Sequence, residues 1–209
     1  MFCDYYKLKI KDVSKKIMNL LEVIHKRFLE LAYLIASSDG ELDLREEEKV
    51  QEHLPEEISK VKNNELIKET KEQLNKNELS YTNSIKELNE LCRKDEKIFI
   101  LNLLFDVVTV DGVVKNEEIK LLENISSALL IENVLFEDIK EKKLIQANIK
   151  SFSNLIVDEK LSDEEKINFL KKEFIKWNNR LNSLPAGIER DNAQAIINDI
   201  SKQIIELSS

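Results

Sequence analysis

Apolar residues recur at three- and four-residue spacing along most of the chain, which is the period of an amphipathic helix. Two stretches, residues 22–37 and 98–110, are apolar over much of the helical circumference. Helices of this kind are buried among other helices, so we expect both to be central. Three glycines and two prolines leave few places for tight turns. The pattern therefore predicts an all-α protein with long helices and short connections.

Two copies of one short motif follow these apolar helices. Each copy begins with Asp-Gly, has an apolar residue three positions after the aspartate and a glutamate seven positions after it. The acidic positions that recur are Asp39 and Glu46 in the first copy and Asp111 and Glu118 in the second. The flanking apolar positions that correspond are Phe28, Leu31, Ala32, Ile35, Ala36 and Val50 with Ile100, Leu103, Leu104, Val107, Val108 and Leu122. Each copy predicts a helix, a tight turn and a second helix, and the two would pack into one pseudo-symmetric bundle.

The first copy is preceded and followed by further predicted helices. Apolar positions over about residues 5–21 predict a first helix that leads into the second, more apolar helix at residues 22–37. After the turn, Asp43 and Glu46 match the capping-box pattern, in which each side chain accepts from a backbone N–H at the helix start. The helix that they open is expected to stop near Pro55, because proline cannot continue a helix.

The stretch between the two copies, residues 56–95, is highly charged and only weakly periodic. It predicts two helices that cover the surface of the bundle. The break between them is expected near residues 76–78 or near residues 81–83, where polar residues interrupt the apolar pattern.

A charge run at residues 140–143 marks a candidate boundary, so we predict two domains, residues 1–142 and residues 143–209. The second domain should contain a short helix, then a longer helix opened by a capping box at residues 162–165, a turn over residues 182–187 and a last helix. Their apolar positions are Ile145, Ile149, Phe152 and Ile156, then Ile167, Leu170, Phe174, Trp177 and Leu181, then Ala193, Ile196, Ile197, Ile200, Ile204 and Leu207. The minimum prediction is an antiparallel pair of helices.

Charge and composition exclude several classes of protein. The net charge of −8 argues against general nucleic-acid binding, since neutralising phosphates requires a basic surface. No apolar run approaches the length of a membrane span, and the first residues lack a signal-peptide pattern. We therefore expect a cytoplasmic protein with no membrane span and no nucleic-acid partner.

The chain has little of what common catalytic sites need. Its two histidines, His25 and His53, have no nucleophile or second histidine near them in sequence. Cys3 and Cys92 form neither a zinc-ligand spacing nor a disulfide framework, and there is no glycine-rich phosphate loop. We expect a protein that is not an enzyme and has no organic cofactor.

The carboxylates of the repeat are the candidate site. Asp39, Glu46, Asp111 and Glu118 supply the hard oxygen ligands that Ca²⁺, Mg²⁺ or Mn²⁺ prefer. Neither copy is an EF-hand loop, because glycine directly follows the first aspartate. The other interpretation is structural: the glycines would end helices in the left-handed conformation, and the glutamates would lie in a first helical turn, where the helix dipole favours negative charge. Both interpretations remain open from the sequence.

A second candidate surface lies on the helix that contains Trp177. It is basic and polar, and it is either a solvated helix face or a partner-binding face. Its residues are Lys171, Lys172, Lys176, Asn178, Asn179 and Arg180.

The paired Asp-Gly motifs, each ending an apolar helix and followed by a glutamate, resemble the TerB-like domain, which is named for a bacterial tellurite-resistance protein. The resemblance covers roughly residues 10–140. It implies an all-helical domain whose acidic residues are candidate cation ligands.

Residues 155–177 resemble a J domain. That family reads Leu-Gly-Val, a charged spacer, Ser-x-Glu-Glu and a basic helix that ends in Lys-Trp before His-Pro-Asp. Here Ile156 replaces the glycine, and Asn178, Asn179 and Arg180 replace the tripeptide. The resemblance implies a DnaK-type chaperone as partner, but the tripeptide is what stimulates ATP hydrolysis in that family. A TerB-like domain followed by a J domain is the order of DjlA-type membrane-anchored co-chaperones, and we expect a degenerate relative without the anchor.

These observations favour a non-enzymatic, co-chaperone-like adaptor that binds a protein partner. The alternative is a metal-binding stress protein of the tellurite-resistance kind, which would use the four repeated carboxylates. A third hypothesis is a structural component of a larger assembly.

Overall fold

The computed structural model describes residues 2–38, 42–112, 114–147 and 161–208, with side chains from Val13 onward apart from that of Asn116. Within these ranges the chain forms nine α-helices and no strand, which confirms the predicted all-α class. The helices are α1 (Phe2–Ala36), α2 (Leu44–Glu52), α3 (Lys60–Asn75), α4 (Tyr81–Leu91), α5 (Lys94–Val108), α6 (Asn116–Ala128), α7 (Asn133–Gln146), α8 (Asp163–Ser183) and α9 (Ile188–Leu207).

The two central helices are α1 and α5, as the apolar pattern predicts. They pack on each other, and each also packs on the second helix of the other repeat, α1 on α6 and α5 on α2. The corresponding apolar positions of the two copies are buried, apart from the partly buried Leu103, which packs against the same core. Because the two copies interlock in this way, the starts of α2 and α6 are brought together.

The predicted break between a first and a second helix near residue 21 is wrong. One helix, α1, runs from Phe2 to Ala36. The physical reason is that no glycine or proline occurs in this stretch, so nothing interrupts the helical hydrogen bonds where the composition changes from polar to apolar.

The charged stretch between the copies forms α3 and α4, and the first of the two predicted breaks is the correct one. The chain turns over residues 76–80, where Asn77 adopts a positive φ of 55°, a conformation that asparagine tolerates better than most residues. Leu66, Ile67, Ile85 and Leu88 are buried in the common core. These helices therefore cover α1 and also complete the core.

A partly buried group of ion pairs joins α4 to α1. Arg27 donates to both carboxylate oxygens of Glu30, at 2.6 and 2.8 Å, and through Nε and Nη2 to Glu87, at 2.9 and 2.8 Å. The Ser84 hydroxyl donates to Glu30 Oε2 at 2.6 Å. The Glu30 carboxylate, on a residue only 5% exposed, is thus fully partnered by groups from both helices.

The C-terminal residues form the predicted antiparallel pair, α8 and α9. Helix α9 packs on α7, and Lys176 of α8 forms ion pairs with Glu137 at 3.1 Å and Glu141 at 2.7 Å on α7. The charge run at residues 140–143 lies inside α7, so the domain boundary stays a prediction. Of the predicted short helix, Ile145 belongs to α7, and Ile149, Phe152 and Ile156 lie outside the described residues.

Two of the predicted helix starts are confirmed in detail. The Asp43 side chain accepts from the Arg45 N–H at 2.7 Å and opens α2, which ends at Glu52, shortly before Pro55. Ser162 and Glu165 form the predicted capping box of α8. No helix within the described ranges is long and apolar enough to cross a bilayer.

Candidate functional site: a buried pair of carboxyl groups

The repeated glutamates occupy equivalent places at the starts of α2 and α6. Glu46 Oε2 accepts the backbone N–H of Asp43 at 3.1 Å, and Glu118 Oε2 accepts the backbone N–H of Lys115 at 2.7 Å. Each glutamate is three residues beyond its N-cap, as in a capping box, and satisfies an N–H that has no partner within the helix. The structural interpretation of the motif therefore holds for both glutamates.

The tertiary fold brings these two carboxyl groups into contact. Glu46 is 6% exposed and Glu118 is 3% exposed, and their side chains form a hydrogen bond with each other. A hydrogen bond between two carboxyl groups requires a proton on one of them. Each group also accepts the backbone N–H described above.

Burial raises both pKa values. The pKa of Glu46 rises to about 8, first because burial penalises its charged form and then because Glu118 and Asp111 are negative neighbours. The pKa of Glu118 rises to about 7, again mainly by burial, although the N–H of Lys115 opposes the rise. The two groups titrate as one pair that holds a shared proton near neutral pH.

The third repeated carboxylate within the described residues lies at the edge of this pair. Asp111 is close enough to raise the pKa of both glutamates, and its Oδ2 is 3.7 Å from Nη2 of Arg45. The glycine after it, Gly112, has a φ of 77°, the left-handed conformation predicted for this turn. Arg45 therefore faces the outer carboxylate of the cluster rather than the buried pair.

Three of the four carboxylates predicted to bind a cation lie within the described residues. Glu46, Asp111 and Glu118 are brought together, whereas Asp39 lies outside the described residues. Among the residues that the structure describes, no group of three or more histidine, cysteine or acidic side chains is arranged to hold a metal ion. The cation site therefore stays a prediction.

The predicted partner-binding residues do not all share one role. Lys176 is held between Glu137 and Glu141, so it joins α8 to α7. The other five positions are exposed on α8. Helix α8 also continues past Trp177 through Asn178, Asn179 and Arg180 to Ser183, without a break at the place of the J-domain tripeptide.

The sequence analysis missed an open apolar groove between α8 and α9. It has a volume of about 420 Å³ and is lined by Lys171, Phe174, Ile175, Ser201, Ile204 and Ile205. Ile175 is 61% exposed and Ile205 is 66% exposed. The signal was present: Ile175 lies outside the three-and-four spacing that places the other apolar residues of α8 in the core.

Comparison with known proteins supports the first of the two resemblances. The family model described as Tellurite resistance protein TerB matches residues 25–141, from the buried part of α1 through most of α7. No curated protein and no solved structure gave a significant match. The matched residues include both helix starts and the glutamate pair between them. The chain therefore belongs to the TerB family of tellurite resistance proteins.

Proposed function

We propose that this TerB-family chain is a non-catalytic protein-interaction adaptor that holds its partner in the α8–α9 groove. The observation that carries the proposal is the exposure of two isoleucines, Ile175 and Ile205, on the two walls of one apolar groove. Grouped apolar residues on a surface mark binding sites more often than single ones do. The groove lies beside the basic side chains that the sequence indicates as a binding face.

The chemistry of the groove favours an acidic amphipathic helix as partner. Among the described residues that line the groove, Lys171 is the only charged one, and Lys172 is exposed beside it on α8. A groove between two helices accepts the apolar face of a third helix, which presents anchors at three- and four-residue spacing. Acidic residues flanking those anchors would contact the two lysines and set the orientation of the partner helix in the groove.

The test is a pull-down from the native cell with matched surface variants. Ile175→Glu and Ile205→Glu each place a charge in the groove and should abolish capture of the partner. Ile188→Glu is the control, because Ile188 is also on α9 and is 76% exposed but does not line the groove. If the partner is still captured by both groove variants, the proposal is wrong. It is also wrong if Ile188→Glu abolishes capture equally.

A DnaK-type chaperone is one specific partner that the J-domain resemblance suggests. We expect binding without stimulation of its ATPase, because Arg180 carries a charge opposite to that of the aspartate it replaces, within a continuous helix. A steady-state ATPase assay with a DnaK-type chaperone and an authentic J protein as positive control tests this. Stimulation equal to that of the positive control would show the assignment to be wrong.

A second candidate function is cation binding at the glutamate pair, which the raised pKa values favour. A divalent cation placed between Glu46 and Glu118 would displace their shared proton, and Asp111 and Asp39 would supply further oxygens. Because binding would release a proton, affinity should increase as pH rises. This candidate coincides with the metal-binding stress function expected from the sequence.

Thermal denaturation with Ca²⁺, Mg²⁺ or Mn²⁺ at pH 6 and pH 8 tests cation binding. The wild-type chain should gain stability from millimolar cation at pH 8 and much less at pH 6. Glu46→Gln should lose the gain, since an amide replaces a charged ligand while keeping the hydrogen bonds of the protonated acid. Absence of any cation-dependent shift in the wild-type chain at pH 8 would exclude this function.

A further inference from the structure

A second pocket includes neither glutamate of the pair and has no role in the functions proposed above. It is formed where α1, the end of α2 and the start of α5 meet, and its volume is about 240 Å³. Its walls are mainly apolar, with Ile24, Phe28, Ile100 and Leu103 among them. Both repeat copies contribute to it, so it belongs to the TerB-family part of the chain.

Two buried polar atoms in the wall of this pocket have no hydrogen-bond partner within the described structure, Nε2 of His25 and Nε2 of His53. His25 is 4% exposed, and its Nε2 forms no hydrogen bond. Leaving a buried polar atom unpaired is costly, so such an atom in a pocket wall indicates a missing partner. Nε2 of His53 lies 4.0 Å from Asp106 Oδ2, which is too far for a hydrogen bond but close enough for electrostatic attraction, whereas the pKa of His25 is shifted by burial alone. A bound molecule would therefore supply the hydrogen-bond partner that Nε2 of His25 lacks.

The protonation state of His25 limits what that molecule can be. Burial lowers the pKa of His25 to about 4, so its imidazole is neutral at pH 7. A neutral imidazole nitrogen either donates or accepts a hydrogen bond, depending on the tautomer, and a hydroxyl group can satisfy both cases. A charged ligand would be buried without a counter-charge from His25, and the Glu96 carboxylate in the wall would repel an anion.

The size and the walls of the pocket limit what the rest of the bound molecule can be. An engineered apolar cavity of about 150 Å³ binds benzene, so 240 Å³ accommodates one aromatic ring with small substituents. The rings of His25 and His53 flank Phe28, at centroid distances of 6.2 and 6.3 Å, and Phe99 is 63% exposed in the same wall. Planar rings pack well against such walls in offset or edge-on geometry.

We propose that this pocket is a binding site for a small, neutral, single-ring aromatic alcohol of the phenol class, whose hydroxyl group pairs with Nε2 of His25. The proposal does not depend on the adaptor or cation functions, because the pocket shares no residue with the α8–α9 groove or the glutamate pair. A ligand here would contact α1, α2 and α5 together and stabilise the interlocked repeat.

The test compares two probes that differ by one hydroxyl group, p-cresol and toluene. Calorimetric titration of the full chain should show saturable binding of p-cresol, with toluene weaker by about fivefold or more, as expected for one net hydrogen bond. In His25→Phe, p-cresol should lose that advantage while toluene changes by less than about twofold. His53→Gln is the matched control and should keep the preference for p-cresol.

A spectroscopic measurement keeps the test independent of whether His25→Phe folds. Titration of the wild-type chain with p-cresol should shift the imidazole ¹⁵N resonances of His25, and toluene should shift them much less. No saturable binding of p-cresol at millimolar concentration would overturn the proposal. Equal affinity for the two probes would also overturn it, as would a dimer of the chain that excludes p-cresol from the pocket.

Discussion

Among the described residues, carboxyl groups are buried at two places in the core, and the fold treats them in opposite ways. Glu30 meets the guanidinium of Arg27 and the hydroxyl of Ser84, so it has a positive partner and satisfied oxygens. Glu46 and Glu118 meet each other, and a further carboxylate, Asp111, raises the pKa of both. The first site pairs its carboxylate with a cation, whereas the pKa values of the second site are raised.

This difference shows what a buried acid needs in order to stay ionised. A carboxylate moved out of water loses several kcal/mol of solvation, which only an opposite charge and good hydrogen bonds offset. Where the partner is a like charge, the group takes up a proton instead. The first site is therefore expected to hold α1 and α4 together, whereas the second should respond to pH.

The largest expected effect comes from removing the cation of the first site. Arg27→Met leaves the Glu30 carboxylate buried without its counter-charge, so we expect the free energy of unfolding to fall by about 3–5 kcal/mol. Urea denaturation at pH 7 measures this loss. The double variant Arg27→Met/Glu30→Gln should recover part of it, because the uncompensated charge is gone. A single variant as stable as the wild type would show that the ion pair contributes nothing net.

The next effect is the pH dependence of the second site. The folded pair has pKa values raised to about 7 and about 8, above those of glutamate in the unfolded chain, so the folded protein binds more protons. Its contribution to stability is fully present below about pH 4 and is lost as the pH rises through 7 and 8. We expect a loss of roughly 2–4 kcal/mol between pH 5 and pH 9, measured by urea denaturation.

Glu46→Gln is the variant that isolates this effect. The amide can donate to Glu118 and accept from the Asp43 N–H, as the protonated acid does, but it cannot ionise. Most of the loss of stability between pH 5 and pH 9 should disappear, and the variant should be more stable than the wild type at pH 9. If the pH dependence is unchanged in this variant, the pair is not its source.

Two glutamates on α7 provide a third acidic site, where the charged groups are more exposed to solvent than in the core. Lys176 lies between Glu137 and Glu141, and its side chain is about one-third exposed, so solvent screens the attraction. Lys176→Met should lower the free energy of unfolding by about 1 kcal/mol. Lys172→Met, one turn earlier on the exposed surface of α8, should leave it unchanged. Equal effects of the two substitutions in thermal or urea unfolding would contradict the role given to Lys176.

The smallest effect is expected at an exposed copy of the same capping geometry. Glu165 accepts the N–H of Ser162 at 2.9 Å, as Glu46 and Glu118 accept theirs, but its pKa is lowered, first by its hydrogen bond with the Ser162 side chain. A group whose pKa is lowered by folding stabilises the fold at pH values above its pKa in the unfolded chain. That stabilisation is lost as the pH falls through its pKa in the folded chain. Glu165→Gln should therefore lower Tm slightly at pH 7 and not at pH 3. A decrease confined to low pH would contradict this sign.

Much of the fold could be predicted because it depends on local patterns. Periodicity placed the central helices, proline and capping residues placed the start and end of α2, and the internal repeat indicated that the two copies pack together. The break within α1 was predicted wrongly, because a change of composition was taken for a helix end where no residue stops the helix. The two walls of the α8–α9 groove were missed, since residues on different helices carry no mark of their distance in space.

The sequence by itself determined that the chain is all helical and that one acidic motif occurs twice. It also determined that each glutamate of the motif lies in a first helical turn, since capping is decided within a few residues. Only the tertiary structure decided that Glu46 and Glu118 face each other and that Glu87 and Ser84 of α4 meet Arg27 and Glu30 of α1. Burial and the sign of the nearest charge set the protonation of each acid, and both depend on which helices pack together. The Asp-Gly repeat thus ends and starts helices locally. The tertiary fold then brings its two glutamates together as one pair that holds a proton.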